Sequence, residues 1–251
     1  MTGPKGFRSA ADPLADPVVA RTAATPAGTP AAVCRGVGKT YRTATESVPA
    51  LVDVSLSIPR AQVTVVVGPS GSGKSSLLRL LACIDSPDTG EVLIAGQRVD
   101  RLRPRARRRL RQRQVSYLFQ RPGENLLPYL DAVAQIRLAA ALRGAPASAA
   151  EAHELLGRLG LDDRADHLPE QLSGGEQQRL AVACGVVGSP ALVVADEPTA
   201  ELDTAAAERV LTAMEDLAAA GVGFVLSSHD PRVMAIADGF VRLDHGRLVE
   251  A

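Results

Sequence analysis

The stretch Val63-Thr64-Val65-Val66-Val67-Gly68-Pro69-Ser70-Gly71-Ser72-Gly73-Lys74-Ser75 runs from an apolar segment into a glycine-rich turn. Ser76-Leu77-Leu78-Arg79-Leu80-Leu81 then continues it with helical leucine spacing. A buried strand, a turn and a helix start, in that order, are the context a phosphate-binding loop requires. Glycines let backbone N–H groups curl around an anion at low steric cost, and the helix N-terminus adds unpaired donors and a favourable dipole. Lys74 then reaches the outer phosphates, and the Ser75 hydroxyl is placed to ligate Mg²⁺. A glycine-rich turn with no ligand is the plain alternative, and the flanking strand and helix weigh against it. The stretch reads as a nucleoside triphosphate site.

Further along, Leu172-Ser173-Gly174-Gly175-Glu176-Gln177-Gln178-Arg179 precedes the apolar-periodic Leu180-Ala181-Val182-Ala183-Cys184. Ser173 is a good N-cap, and the paired glycines leave the N–H groups of the helix start uncovered. That makes a second anion site, although alone it is equally an ordinary capped helix. Beside the phosphate loop, the stretch resembles the signature motif of the ATP-binding-cassette ATPases.

Other motifs of that family follow in its order. Ala191-Leu192-Val193-Val194-Ala195-Asp196-Glu197-Pro198 resembles Walker B. The resemblance implies that Asp196 holds Mg²⁺ through water and that Glu197 orients and deprotonates the attacking water. Gln120, after Val115-Ser116-Tyr117-Leu118-Phe119, resembles the Q-loop glutamine that senses Mg²⁺ and the γ-phosphate. Ala200-Glu201-Leu202-Asp203 resembles the D-loop, and His229 the switch histidine, though a lone histidine is more often structural. Tyr41 stands where the family stacks an aromatic on adenine; a half-buried strand tyrosine is the alternative. Departures are Ser76 where Thr is usual, Ala61-Gln62 where Gly-Glu usually closes the turn, and Glu201 in the D-loop. None removes a group the chemistry requires.

The resemblance covers residues 32–251. It implies an α/β P-loop NTPase with a RecA-like core sheet, an N-terminal antiparallel β lobe and an inserted helical subdomain at about 121–188. It further implies an active ATPase using ATP and Mg²⁺, with Glu197, His229 and Lys74 catalytic and Ser75, Gln120 and Asp196 on the metal. The nucleotide would be held by Tyr41, Gly68 to Ser76, Gln120, Ser173, Gly174, Gly175, Glu176 and Asp203. ATP would lie between two protomers of a head-to-tail homodimer, at the cytoplasmic face of a membrane beside a separate permease. Asn125-Leu126-Leu127-Pro128 resembles the lipoprotein-releasing and macrolide-export branch. A regulatory cassette of the cell-division type, signalling through a membrane partner, is the alternative.

Composition sets the bounds. The chain has 251 residues, room for one large or two small domains, and a formal net charge of zero, so no global pull toward nucleic acid or anionic lipid. No apolar run approaches the ~20 residues needed to span a bilayer, and the N-terminus lacks the apolar core of a signal peptide. Cys34, Cys83 and Cys184 lack metal-ligand spacing and suit buried free thiols in a reducing cytosol. Leu51 to Ile58 alternates as a half-buried antiparallel strand, Glu91 to Ile94 reads as another, and residues 126–168 have helical spacing. Phe240 to Val249 reads as a hairpin turning at Asp244-His245-Gly246. Arg101 to Arg113 carries eight arginines in thirteen residues: Arg101, Arg103, Arg105, Arg107, Arg108, Arg109, Arg111 and Arg113. Without interleaved aromatics this reads as a solvated helix, the nucleic-acid patch being the sharper alternative, and no nucleic-acid partner is expected.

Residues 1–30, punctuated by five prolines and without apolar periodicity, read as a disordered tail. Deleting them is expected to leave ATPase activity and the melting temperature nearly unchanged. A shift above about 5 °C in a thermal melt would show that the tail docks on the fold.

Overall fold

A computed structural model describes residues 28–42 and 45–249, so the expectation for the tail falls, through residue 27, outside the described residues. The apolar run before the glycines is strand β3 (Val63–Val67), the middle of a six-stranded sheet. The other strands carry numbers in chain order: β6 (Val115–Leu118), β7 (Leu192–Asp196), β8 (Gly223–Ser227), β9 (Gly239–Asp244) and β10 (Arg247–Leu248). Their spatial order is β10-β9-β3-β8-β7-β6; all pairs are parallel except the β9–β10 hairpin. Strand β8 buries all five of its residues and β7 four of five, as expected for parallel strands covered on both faces. Because the strands run the same way, Val67, Asp196 and Ser227 finish at one edge. Ligands of open α/β sheets bind beyond that carboxyl edge.

One face of this sheet is covered by helix α1 (Lys74–Leu81), which buries Leu77, Leu78, Leu80 and Leu81. Over α1 lies a four-stranded antiparallel sheet of β1 (Ala32–Arg42), β2 (Ser47–Ile58), β4 (Thr89–Ile94) and β5 (Gln97–Arg98), ordered β2-β1-β4-β5. Ile58, Val92, Leu78, Val66 and Val194 share one core across these layers. The opposite face packs on α5 (Gly174–Val186), α6 (Thr204–Ala219) and α7 (Pro231–Ala235), with α3 (Ala132–Arg143) and α4 (Ala149–Arg158) beyond. Ile136, Leu156, Leu180 and Phe224 are fully buried in that second core. The arginine run forms α2 (Pro104–Gln114), which passes directly into β6. No described helix is long and apolar enough to cross a membrane.

Local departures from simple alternation have identifiable causes. In β2 only Leu51, Val54 and Ile58 of the apolar positions are fully buried, because Asp53 sits at φ 54° and shifts the phase. Strand β4 starts at Thr89 rather than Glu91; Gly90 takes φ 83°, and a Cβ there would lie 2.3 Å from the Gly36 carbonyl oxygen. Of the cysteines, Cys34 and Cys83 are buried and Cys184 is half-buried, and all three are free thiols. Burial pushes all three thiols up to about 12, so they stay protonated and unreactive near neutrality.

Phe224 fills the centre of the parallel sheet with no exposed surface. Phe224→Ala is expected to cost about 3–5 kcal/mol of stability, read from urea unfolding, through lost burial and the cavity left behind.

Candidate nucleotide site

The loop between β3 and α1 is built from glycines that have no substitute. Gly68, Gly71 and Gly73 take φ values of 150°, 77° and 101°, all in the region L-residues avoid. Space is exhausted at two of them: a Cβ on Gly68 would sit 2.1 Å from the Leu243 carbonyl oxygen, and one on Gly73 2.3 Å from that of Ala50. The loop is therefore pinched between β9 and β2. Gly246 adds a bridge, its N–H donating to the Ser72 carbonyl at 3.0 Å while its own carbonyl accepts from Val52 N at 2.8 Å. Ser72 Oγ is buried and has no hydrogen-bond partner, and Lys74 Nζ folds back to donate to the carbonyls of Gly68 and Pro69 at 2.7 and 3.0 Å. A cradle of backbone donors, an orphaned hydroxyl and a lysine ammonium suits a polyphosphate.

Across the sheet edge stand the two carboxylates. Asp196 ends β7 and accepts a hydrogen bond from Ser75 Oγ at 3.1 Å; its other oxygen accepts from Ser227 Oγ. Glu197 follows at φ 48°, an unusual conformation for a residue with a Cβ, held by its N–H donating to the Ser227 carbonyl at 2.9 Å. Ser228 Oγ donates to Glu197 Oε2 at 3.0 Å and accepts from Asp230 N at 3.1 Å, which aims the carboxylate. Ser75 and Asp196 offer only oxygen, and no cluster of three or more metal-ligating side chains exists among the described residues. That set fits a hard divalent cation whose remaining ligands are phosphate and water, the Mg²⁺ pattern.

Helix α5 begins as its sequence predicts. Ser173 Oγ accepts from Glu176 N at 3.3 Å, and Glu176 Oε2 accepts from Ser173 N at 2.8 Å, a complete capping box. Arg164 Nε donates to the other Glu176 oxygen at 2.8 Å. Gly174 and Gly175, as the first two helical residues, present N–H groups with no intrahelical acceptor. Gly175 is also a packing requirement, since a Cβ there would lie 2.6 Å from Ala206 Cβ on α6. Asp203 caps α6, accepting from Ala206 N at 2.8 Å.

The structure joins Lys74, Ser75, Asp196 and Glu197 at one edge but does not draw in every expected residue. Gln120 and His229 are exposed and make no hydrogen bond among the described residues. Tyr41 is exposed on β1, its hydroxyl donating to Asp85 Oδ2 at 2.9 Å while Arg79 Nε holds the same oxygen at 2.8 Å. Other residues matter that motif reading passed over or used differently. Asn125 clips the segment after Gln120, accepting from Phe119 N at 2.8 Å and donating to the Phe119 carbonyl at 3.1 Å. Gln135, buried on α3, clamps the next turn through Leu127 N at 3.0 Å and the Leu127 carbonyl at 2.9 Å. A glutamine on the apolar face of a helix is the signal that marks it. Arg121 Nε lies 3.6 Å from Glu201 Oε1, linking the Gln120 segment to the turn before α6.

The ABC transporter family model matches residues 51–200. A macrolide export ATP-binding/permease protein of Paracoccus denitrificans is 41% identical over 217 residues, covering 86% of this chain and 32% of that protein. An uncharacterized ABC transporter ATP-binding protein of Thermotoga maritima is 39% identical over 214 residues, covering 84% of this chain and 91% of that protein. A solved dimeric post-hydrolysis state of the ATP-binding cassette MJ0796, bound to ADP and Pi, superposes with a TM-score of 0.77. Its sequence identity is 31%, with 86% of this chain and 96% of that one covered. The chain thus spans about a third of the length of the macrolide-export relatives.

The hydrogen bond from Ser173 N, followed by those from Ser173 Oγ and Arg164, holds the Glu176 carboxyl down to about 2 from its ordinary 4.5. A carboxylate depressed on folding stabilises fully above its unfolded value and loses that contribution as pH falls through the folded one. Glu176→Gln keeps the reach back to the Ser173 N–H without the charge. The stability advantage of wild type over this variant, from urea unfolding, is expected to be greatest above about pH 4.5 and to vanish as pH falls toward 2. A gap independent of pH would show that the charge contributes nothing.

Proposed function

The chain belongs to the ABC transporter family, among its ATP-binding cassettes, and we propose that it binds ATP with Mg²⁺, hydrolyses it, and so drives a separate membrane permease. The observation that carries this reading is the contact of Ser75 Oγ with Asp196 Oδ2 at 3.1 Å, which joins the phosphate loop to the paired carboxylates. The backbone N–H groups of residues 70–75 bind the phosphates, and Lys74 exchanges the carbonyls of Gly68 and Pro69 for phosphate oxygens. Ser75 and Asp196 hold the divalent cation, which supplies neutralising charge on the phosphates when bound. Glu197, aimed by Ser228, accepts the proton of the attacking water.

Residues 173–175 make no hydrogen bond to residues 68–75 within the described chain, so the second anion site is proposed to act on nucleotide held by another protomer. The dimeric state of the MJ0796 cassette supports that reading. The exposed side chains of Phe119, Leu127 and Tyr129 surround the segment clipped by Asn125 and Gln135. We assign this apolar surface to the permease, because it adjoins Gln120 and would move with nucleotide state.

Glu197→Gln is expected to lower hydrolysis about 10²–10⁴-fold while retaining ATP binding, measured by phosphate release and by nucleotide titration. With ATP and Mg²⁺ the same variant is expected to dimerise in light scattering, and an added Ser173→Arg to keep it monomeric. Ordinary turnover by the glutamine variant would remove Glu197 from its role; a persistent monomer at saturating ATP would remove the composite site.

A further inference from the structure

Helix α2 is not needed for the nucleotide chemistry, yet it concentrates charge as no other segment does. Eight of the chain's 28 basic residues fall between positions 101 and 113, and none of its 28 acidic residues does, although the whole chain is formally neutral. Arg101, Arg103, Arg105, Arg108, Arg109 and Arg113 are exposed. Among the described residues the run has one ion pair, Arg101 to Asp100 at 3.9 Å. Leu110 is the only buried residue of the helix.

Such a helix is poorly arranged for water alone. A solvated helix ordinarily places Glu or Asp four residues from Lys or Arg, whereas here Arg105, Arg109 and Arg113 stack like charges at that spacing. No acidic residue stands in the first turn to meet the helix dipole. The helix is nevertheless firmly seated. Arg111 Nη1 donates to the Cys83 carbonyl at 3.1 Å, Gln112 Nε2 donates to the Leu142 carbonyl, and Arg143 Nη1 donates to the Gln112 carbonyl at 3.4 Å. These bonds set the C-terminal end of α2 beside that of α3, where Leu138 and Leu142 are 36% and 56% exposed. The arginine-bearing helix is therefore seated with its C-terminal end next to the unburied leucines of α3.

We propose that α2, with Leu138 and Leu142 of α3, docks on the anionic surface of a membrane. The arginines bind lipid phosphates, and the leucines enter the boundary between headgroups and acyl chains. Guanidinium groups pair with phosphate oxygens in bidentate geometry, and a positive helix with an apolar margin matches the layered chemistry of that boundary. A nucleic-acid duplex has no apolar layer to receive the leucines, and α2 has no aromatic side chain to stack on a single strand. Contact with lipid would orient the cassette independently of any permease.

The test is co-sedimentation of the full chain with vesicles of phosphatidylcholine alone, or with phosphatidylglycerol added, across a range of salt. Wild type is expected to sediment with the anionic vesicles only and to be released as salt rises. Each arginine near such a surface contributes about a fivefold gain in partitioning, so Arg105→Gln/Arg108→Gln/Arg109→Gln is expected to lose about a hundredfold. The matching triple lysine variant keeps the charge and is expected to stay within a few-fold of wild type. Urea unfolding and basal ATPase rate of both variants check that the fold is intact. Equal sedimentation with neutral vesicles, undiminished binding by the glutamine variant, or displacement from vesicles by equimolar duplex DNA would overturn the proposal. Because the vesicles contain no permease, each of these results leaves the ATPase and transport reading to its own test.

Discussion

The hydrogen bonds that pass from Val52 through Gly246 to Ser72 tie the phosphate loop to both sheets at once. Everything at the site depends on that clamp. A loop of three glycines at positive φ has little reason to hold one shape by itself, since glycine has the most conformational freedom to lose. Here the carbonyls of Leu243 and Ala50 press on it from β9 and β2, and the hairpin turn at Gly246 bonds it in place. The donors that face a phosphate are thus set by strands distant in sequence. Ser75 can meet Asp196 only because the loop cannot drift from the β7 end of the sheet.

Energy at the site is distributed unevenly. The well-buried strands supply the stability, while Glu197 sits in a strained backbone conformation that its neighbours must hold. The Ser227 carbonyl, at the end of β8, and the Ser228 hydroxyl, just beyond it, hold it. The exposed Arg121–Glu201 pair, by contrast, adds little to stability at its separation of 3.6 Å in solvent. Its value is positional, joining two turns that border the site.

Much of this was legible in the sequence because the informative residues are local. A strand, a glycine turn and a helix in succession are encoded within a few residues of one another. So are the Ser173 capping box and the carboxylates closing an apolar strand. The strand bounds of β3, β7 and β8 follow directly from their apolar runs. What escaped depends on contacts between distant residues. The bulged phase of β2 follows from Asp53 at positive φ, the early start of β4 from the close approach of Gly90 to Gly36, and the role of Gly246 from a turn that touches two other elements. Asn125 carried a different meaning as a motif letter than as the clip of its own loop. Gln120 and His229 stand apart: both are exposed, with no hydrogen-bond partner among the described residues.

The near-contact of Gly175 with Ala206 has a mechanical meaning. With room for no more than a hydrogen between them, the starts of α5 and α6 share a common pivot and cannot slide past one another. Leu202, which a Cβ added to Gly174 would meet at 3.8 Å, stands at the same seam in the turn that follows the paired carboxylates, and Asp203 beside it caps α6. A shift of α5 against α6 would therefore bear first on the turn that joins the end of β7 to α6.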